Sequence, residues 1–293
     1  MRFTEIGQQL RAYRLESGLR AEEIAARLGV SRAALYRYEK GEVIKLDTIQ
    51  RLAELLKISP LSLLGIGVEY YNRPIGFFER LRQIEETADQ ILELCGPVSY
   101  LVTSDSFDAA MAEAFDDAAD QPGADRLAMR GMAEQVMGIL VQRKRMYGLR
   151  RPTIIVMISE LSVQRFLAVG VGANGSLSER VSRLCRQVAA TEIENIATLM
   201  EAEPMGLQFG LLANAEPTSS FAILRTRDRA ALAINPFRPD AHPSGHSGVA
   251  MVTGADEAVA AHQRVAEASW RDAIKGPSGA ARLRALLAEA GTE

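Results

Sequence analysis

The stretch from Gly18 to Gly41 constrains the fold of this chain more than any other. It reads GLRAEEIAARLGVSRAALYRYEKG, in which two short segments of helical periodicity are separated only by Gly29, Val30 and Ser31. Gly29 suits the left-handed conformation that ends a helix, and Ser31 is a good N-cap for the helix that follows. Helices joined by so short a turn must cross steeply. The side chains expected inside that angle are Ile24, Ala25, Val30, Leu35 and Tyr38.

Further helices are predicted on both sides of this pair. Apolar residues recur at helical spacing before it and again between Ile49 and Leu56. Ser59 and Pro60 provide an N-cap followed by proline at the first helical position. Gly65, Gly67 and the Asn72-Arg73-Pro74 sequence then interrupt the pattern. The sequence therefore predicts an all-α, five-helix domain over residues 1–66 and a linker over residues 67–75.

The second helix of the pair projects its N-terminal side chains outward, a shape that fits the major groove of DNA. Residues 4–64 closely resemble the XRE family of phage and related bacterial repressors in helix lengths, in the Gly-Val-Ser turn and in the Glu39-Lys40-Gly41 ending. The resemblance implies a sequence-specific, DNA-binding transcriptional regulator, typically a repressor, with double-stranded operator DNA as its partner. The charge distribution also favours DNA binding. Residues 1–66 hold eleven Lys/Arg against eight Asp/Glu and are therefore positive, whereas the whole chain has a net charge of −3.

The resemblance also assigns roles to individual residues. Base contacts fall on Arg32, Ala33 and Arg37, with Ser31 and Tyr36 beside them, and a structural ion pair joins Arg14 to Glu39. Two family features are missing, since Arg20-Ala21 stands where many relatives have Thr-Gln and no proline follows the third helix. Phosphate contacts are therefore expected from Arg20 and Lys40 instead.

Residues 76–293 are predicted to form a larger α/β domain. Helical segments are expected at 76–95, 106–119, 124–147, 177–201, 255–274 and 278–289. They alternate with apolar runs that read as strands, the fourth and fifth of which form a hairpin around Thr226–Arg229. These runs are Val98–Thr103, Thr153–Ile158, Gly206–Leu212, Phe221–Arg225, Ala230–Ile234 and Val249–Val252.

We expect this second domain to form a homodimer and to bind a small-molecule effector. Ligands of such sheets bind beyond the carboxyl ends of the parallel strands, which favours Ser104, Asp105, Ser159 and Glu160 as effector-binding residues. The alternation of strands and helices weakly resembles phospholipase-D-like sensor domains, whose catalytic forms need a His-x-Lys motif. That motif is missing, so we expect no enzyme, no cofactor and no metal. The alternatives left open are a domain that binds a protein partner and an enzyme tethered to DNA.

Other motifs in this part of the chain have simpler explanations. Gly170–Gly175 spells a dinucleotide-binding pattern, but a helix rather than a strand is expected after it. Ser104 and Lys144 have the spacing of a self-cleaving repressor, yet Lys144 lies in a basic run, Arg143–Arg145, at the end of a helix. His242 and His246, even with His262, lack the further ligands of a metal site.

A stripe from Phe77 to Cys95 has heptad spacing, and it fits either pairing with a second copy or packing on the sheet. No segment reads as a transmembrane helix or a signal peptide, and only two cysteines occur. We therefore expect a cytoplasmic protein with no membrane partner.

Overall fold

The computed structural model describes residues 3–172, 177–213, 217, 219–238 and 248–291. Its N-terminal region is helical, and Leu10, Ile24, Leu35 and Leu52 are fully buried where the helices meet. The predicted five-helix domain is therefore confirmed. Its helices are α1 (Phe3–Ser17), α2 (Ala21–Leu28), α3 (Arg32–Glu39), α4 (Leu46–Leu56) and α5 (Pro60–Leu63).

The predicted turn chemistry of this region is confirmed at three positions. Gly29 has a φ of 71°, the left-handed conformation that ends α2. Ser31 Oγ accepts a hydrogen bond from the backbone N–H of Ala34 at 3.1 Å, which caps α3. Ser59 caps α5 in the same way, with Pro60 at its first position. These local signals fix where α3 begins, and hence which of its side chains face outward.

The rest of the described chain alternates helices with strands, and a short 3-10 helix spans Tyr100–Val102. The strands are β1 (Val68–Tyr71), β2 (Gln90–Leu94), β3 (Thr153–Ser159), β4 (Leu207–Leu212), β5 (Ser220–Arg225), β6 (Ala230–Asn235), β7 (Ala250–Thr253) and β8 (Ile274–Lys275). The helices are α6 (Pro74–Glu85), α7 (Asp105–Ala119), α8 (Arg126–Arg150), α9 (Glu160–Val169), α10 (Glu179–Ala202), α11 (Asp256–Asp272) and α12 (Gly276–Ala290).

Within the described residues the strands form one eight-stranded sheet in the order β1-β7-β6-β5-β2-β3-β4-β8. β2, β3 and β4 are parallel to one another, whereas all other neighbours pair antiparallel. Helices cover the sheet, which confirms the predicted larger domain of strands and helices, and β5 and β6 form the predicted hairpin. No helix in this part of the chain is long and apolar enough to cross a membrane.

The prediction for residues 76–103 is wrong in two places. Helix α6 ends at Glu85, and the segment expected to continue it forms the central strand β2. Both faces of β2 are covered by apolar side chains. Leu92 and Leu94 belong to the apolar cluster on one face of the sheet, and Ile91 belongs to the cluster on the other face. The strand therefore lacks the apolar–polar alternation of a strand with one exposed face. Val98–Thr103 contains the 3-10 helix instead of a strand, and this helix packs against α8 with Tyr100 and Leu101 buried.

The structure also decides between the two explanations of the stripe from Phe77 to Cys95. The structure divides it between α6 and β2, and the side chains of Phe77, Leu81 and Ile91 are buried within their own chain. The stripe therefore packs against the sheet and does not form a surface that pairs with a second copy.

A further correction concerns residues 160–175. Phe166–Val169, which would have to be the strand before the glycines in a dinucleotide site, belongs to α9, where Val163, Phe166 and Leu167 are buried at helical spacing. Residues 173–176 of that pattern lie outside the described residues, as do His242 and His246. A helix thus precedes the glycines where a dinucleotide site needs a strand.

Residues 67–75, which the sequence predicts as a linker, contain β1 and the start of α6. Helix α1 of the N-terminal region packs closely along α6. A Cβ atom added to Gly76 of α6 would lie 2.6–3.1 Å from atoms of Glu16 on α1, so only glycine permits this approach. Glu16 in turn accepts a hydrogen bond from the backbone N–H of Asn72 at 2.7 Å. The two regions are therefore in direct contact.

A buried carboxylate lies at the centre of this contact. Glu69 of β1 receives two hydrogen bonds from Arg80 of α6, at 2.8 and 2.9 Å. Tyr71 Oη donates to it at 2.7 Å and Gln9 Nε2 of α1 at 2.8 Å. The residue before Arg80 in α6 is Glu79, and Arg11 of α1 forms a salt bridge with its side chain at 2.9 Å. Polar bonds as well as apolar packing thus fix α1 against the sheet domain.

Candidate DNA-binding surface and internal cavity

The first turn of α3 is the most exposed part of the helical pair. Leu35 is fully buried against α2, which holds the opposite face of α3 in the core. Ser31, Arg32, Ala33 and Arg37 are exposed, and Tyr36 is half-buried beside them. The residues that the sequence assigns to base contacts therefore lie together on one outward face of one helix.

Arg32 is held in an ordered position on this face. Its guanidinium forms a salt bridge with Glu22 of α2 at 2.7 Å and donates to Tyr36 Oη at 3.2 Å. It also lies over the Tyr36 ring, 5.3 Å from the centroid. More than half of each side chain in the Arg32–Glu22 pair is exposed, and exposed pairs contribute little, so DNA can replace this partner at small cost.

Arg37 is arranged in the same way, in an exposed salt bridge with Glu42 at 3.1 Å. Arg20 and Lys40, the predicted phosphate contacts, are both exposed. Arg20 precedes α2 as its N-cap residue, and Lys40 follows α3 as its C-cap residue. The two therefore flank the outward face at the beginning and the end of the helical pair.

Arg14 and Glu39 connect α1 to the end of α3. Arg14 donates through Nε and Nη2 to the two carboxylate oxygens of Glu39, the second bond being 3.0 Å long. The Glu39 side chain is only 6% exposed and that of Arg14 14%. Burial is the largest single influence on Arg14 and acts against its charge, but the hydrogen bond to Glu39 and the nearby negative charges together outweigh it and raise the pKa of the guanidinium. This pair holds α3 in position from inside and is not part of the outward face.

The four residues predicted to bind an effector do not surround a common space. Ser104 caps α7, and its Oγ is bonded to the buried carboxylate of Glu192. Asp105 is exposed on the first turn of α7. Ser159 caps α9, and Glu160 is bonded to Arg282 of α12. None of the four lines the cavity described next.

A cavity of about 410 Å³ lies at the carboxyl end of β2. One row of the sheet explains its floor: Glu93 of β2 pairs with Ala222 of β5, which pairs with Ala233 of β6. Two alanines in adjacent strands leave room that larger side chains fill in the neighbouring rows. The walls include α6, the loop after β2, α9 and Phe237 after β6. The cavity thus lies beyond the carboxyl end of a parallel strand, and Ser104, Asp105, Ser159 and Glu160 are not among its lining residues.

Sequence reasoning missed these residues because it placed β2 inside a helix. One signal was available. The run QILEL carries a single acid among apolar residues, and once it is read as a central strand its glutamate must face the interior.

Lys144, considered for a serine-lysine site, has structural partners. Its ammonium group forms a salt bridge with Asp108 at 2.7 Å and donates to the carbonyl oxygen of Ser104 at 3.1 Å. Its neighbour Arg143, predicted as part of a solvated basic helix end, is instead buried and forms a bidentate pair with Glu85 of α6. The basic run at the end of α8 is thus partly a core feature.

Comparisons with known proteins bear on the N-terminal region. Residues 5–63 match the family described as "Helix-turn-helix domain". No curated protein matches the sequence. Among solved structures, the chain is similar to TrmBL2, an archaeal chromatin protein whose structure is described as showing a novel mode of DNA binding.

The similarity to TrmBL2 has a TM-score of 0.34 at 9% identity and covers 78% of this chain and 61% of that one. A likeness at this level carries no conclusion about the present chain. The family match does, and it shows a helix-turn-helix DNA-binding domain over residues 5–63.

Proposed function

We propose that this protein is a transcriptional regulator of the XRE type that binds a double-stranded DNA operator in a sequence-specific manner. The observation that carries the proposal is the outward face of α3, where Arg32 and Arg37 are exposed beside the small side chain of Ala33. Arginine forms paired hydrogen bonds with guanine, and a methyl group can contact thymine. Arg20 and Lys40 flank this face at the positions where a DNA backbone would pass.

Replacement of either recognition arginine tests this proposal. Arg32→Ala and Arg37→Ala are each expected to reduce specific binding by about 1–3 kcal/mol and to relax base preference, because a bidentate contact to guanine is lost. Lys40→Ala should weaken binding to all sequences alike and lower the salt slope by about one. Selection from a random DNA library identifies the operator, and fluorescence anisotropy then measures affinity for operator and random DNA.

Arg183→Ala is the matched control, since Arg183 is an exposed helix arginine far along the chain, paired only with Glu179 among the described residues. It should change neither affinity. An unaltered ratio of operator to random binding in Arg32→Ala would show that α3 does not read the bases.

The proposal includes a homodimer that binds two half-sites. One recognition helix contacts only a few base pairs, and pairing two of them across a twofold axis multiplies the discrimination. The full chain should therefore sediment as a dimer on its operator. A monomer at micromolar concentration, both free and bound to DNA, would contradict this part of the proposal.

Regulation by a small-molecule effector in the cavity completes the proposal. Phe77 lines the cavity, its ring packs 6.3 Å from that of Tyr71, and Tyr71 stacks on Tyr13 of α1 at 5.3 Å. Three rings thus connect the cavity wall to the first helix of the DNA-binding domain. An occupant that displaces Phe77 would change the packing of α1, and a coupling of about 1–3 kcal/mol is typical of such linked sites. Operator titration with the cavity occupied and empty measures this coupling.

The proposal assigns no catalytic step to the sheet domain. The Ser104–Lys144 spacing is the strongest enzyme-like feature of the sequence. In the structure the lysine is an ammonium paired with Asp108, and the serine hydroxyl is bonded to Glu192. A general base that activates a serine needs instead a free amine near the hydroxyl.

A further inference from the structure

Glu93 is the acidic residue in the row of small side chains that floors the cavity. It lies on the central strand β2, between β5 and β3. The strand neighbours on either side, Leu92 and Leu94, face the apolar cluster on the opposite side of the sheet. The Glu93 carboxyl therefore faces the cavity. Its burial raises the pKa of this carboxyl, as expected for a charge removed from bulk water.

The guanidinium of Arg143 could pair with Glu93 inside the cavity, but it is bonded to a different carboxylate. Arg143 lines the same cavity, but its Nε and Nη2 both donate to Glu85, at 2.9 and 2.7 Å. Within the described ranges, no salt bridge to Glu93 is formed. Ser99 Oγ, close enough to lower the pKa of Glu93, is buried and makes no hydrogen bond of normal geometry to a described residue. Two polar groups thus face the cavity with bonding capacity left over.

Aromatic rings line the same cavity. Phe77, Phe78 and Phe237 pack against one another with centroids 5.7–6.5 Å apart, and all three line the cavity with Tyr100. The face of an aromatic ring attracts a cation, and the attraction is stronger where water is excluded. Rings beside a carboxylate in one cavity suit a molecule with an apolar body and a positive charge.

Two other arginines line the cavity, and their positive charges favour an anionic ligand. Arg165 and Arg238 line the cavity, and each already takes part in a polar or ring contact. Arg143 is neutralised by Glu85. An anionic ligand would therefore have to compete for engaged arginines, whereas a cation finds a carboxylate in no salt bridge among the described residues.

We propose that the cavity binds a small organic amine, whose protonated nitrogen is held by Glu93 and Ser99 and whose apolar body lies among Phe77, Phe78 and Phe237. This inference rests on the proposed effector function and names the chemical class of the effector. The cavity volume falls in the range of sites for small organic ligands.

Aromatic probes of similar size that carry a positive charge, a negative charge or no charge test this assignment. Tryptamine and 2-phenylethylamine are the amines, indole-3-acetate is the anion, and 3-ethylindole is the neutral molecule. Isothermal titration of the full chain should show binding of an amine and weaker binding of the anion and the neutral probe. Glu93→Gln, which has nearly the same shape, should weaken amine binding roughly tenfold or more, because a charge-assisted hydrogen bond is lost. The exposed Glu134→Gln is the matched control and should bind as the original chain does.

A second variant keeps the test decisive if Glu93→Gln does not fold. Ala222→Leu fills the cavity floor without altering a charge, and it should reduce amine binding as well. Equal amine affinity in the original chain and Glu93→Gln, tighter binding of the anion or the neutral probe, or no binding of either amine would each overturn the proposal.

The operator titration separates this inference from the proposed regulation. If an amine binds through Glu93 but leaves operator affinity unchanged, the ligand chemistry stands and the effector function fails. If the anion binds and shifts operator affinity, the effector function stands and the amine assignment fails.

Discussion

Glu69→Ala is expected to lower the free energy of unfolding by about 3–5 kcal/mol, because it leaves the charge of Arg80 buried without its partner. Glu69 accepts four hydrogen bonds, two from Arg80 and one each from Tyr71 and Gln9. Its side chain is 8% exposed and that of Arg80 15%, so water replaces these bonds poorly. The loss is therefore larger than for the removal of a surface ion pair.

Urea unfolding followed by circular dichroism measures this effect. Glu179→Ala removes one partner of an exposed pair with Arg183 and is the matched control, with an expected change below about 0.5 kcal/mol. Glu69→Gln retains the shape and removes only the charge, and it should fall between the two. A loss below about 1 kcal/mol in Glu69→Ala would show that this network does not hold the structure together.

Glu69→Ala should also weaken the attachment of the DNA-binding domain to the sheet. Gln9 of α1 loses its bond to β1, while Arg11–Glu79 and the contact at Gly76 remain. Limited proteolysis should then cleave between residues 64 and 74 earlier than in the original chain. Cleavage at an unchanged rate would indicate that the remaining contacts suffice to hold α1 on α6.

The helix-turn-helix domain could be predicted closely because its signals are local. Gly29, Ser31 and Ser59 each act on backbone groups within three residues, so their roles follow from the sequence alone. Most strands of the hairpin region were also predicted, since they alternate or are bounded by turn residues. In these parts, short-range chemistry and the final fold agree.

The cavity could not be predicted, because its floor is a product of strand pairing. Glu93, Ala222 and Ala233 are far apart in sequence and become neighbours only through the order β2-β5-β6. A central strand buried on both faces shows no period of two, so β2 was read as the end of a helix. The four residues expected to bind an effector were chosen for polarity at strand ends; Ser104 and Ser159 cap helices, Glu160 pairs with Arg282, and Asp105 is exposed.

The contact between the two regions was likewise hidden from the sequence. Gly65, Gly67 and Pro74 indicate a linker, yet β1 pairs with β7, a strand nearly two hundred residues later. The pairing fixes β1 at the edge of the sheet, where Glu69 is hydrogen-bonded to both α1 and α6. The physical route from cavity to DNA-binding domain therefore depends on long-range contacts that no local pattern reports.

Arg143→Met should lower the free energy of unfolding by about 3–5 kcal/mol, since it leaves the carboxylate of Glu85 buried without its bidentate partner. Arg143 is 5% exposed and Glu85 7%, and they connect α8 to α6. Arg143 also lies over the rings of Phe78 and Tyr100, 5.5 and 5.9 Å from their centroids. Urea unfolding of the single variant, again beside Glu179→Ala, measures the loss.

The double variant Glu85→Leu/Arg143→Met should recover most of that stability, because replacing a whole buried pair by apolar residues removes the unmatched charge along with the desolvation cost. The double variant also tests whether the Glu93 carboxylate or the Arg143 guanidinium recognises the ligand. If Glu93 recognises the amine, the double variant should bind tryptamine about as tightly as the original chain, since the pair that it removes is neutral as a whole and the Glu93 carboxylate remains. If Arg143 recognises the ligand instead, the double variant should bind indole-3-acetate more weakly than the original chain does. A double variant as unstable as the single one would show that α6 and α8 need this ion pair and not merely a filled space.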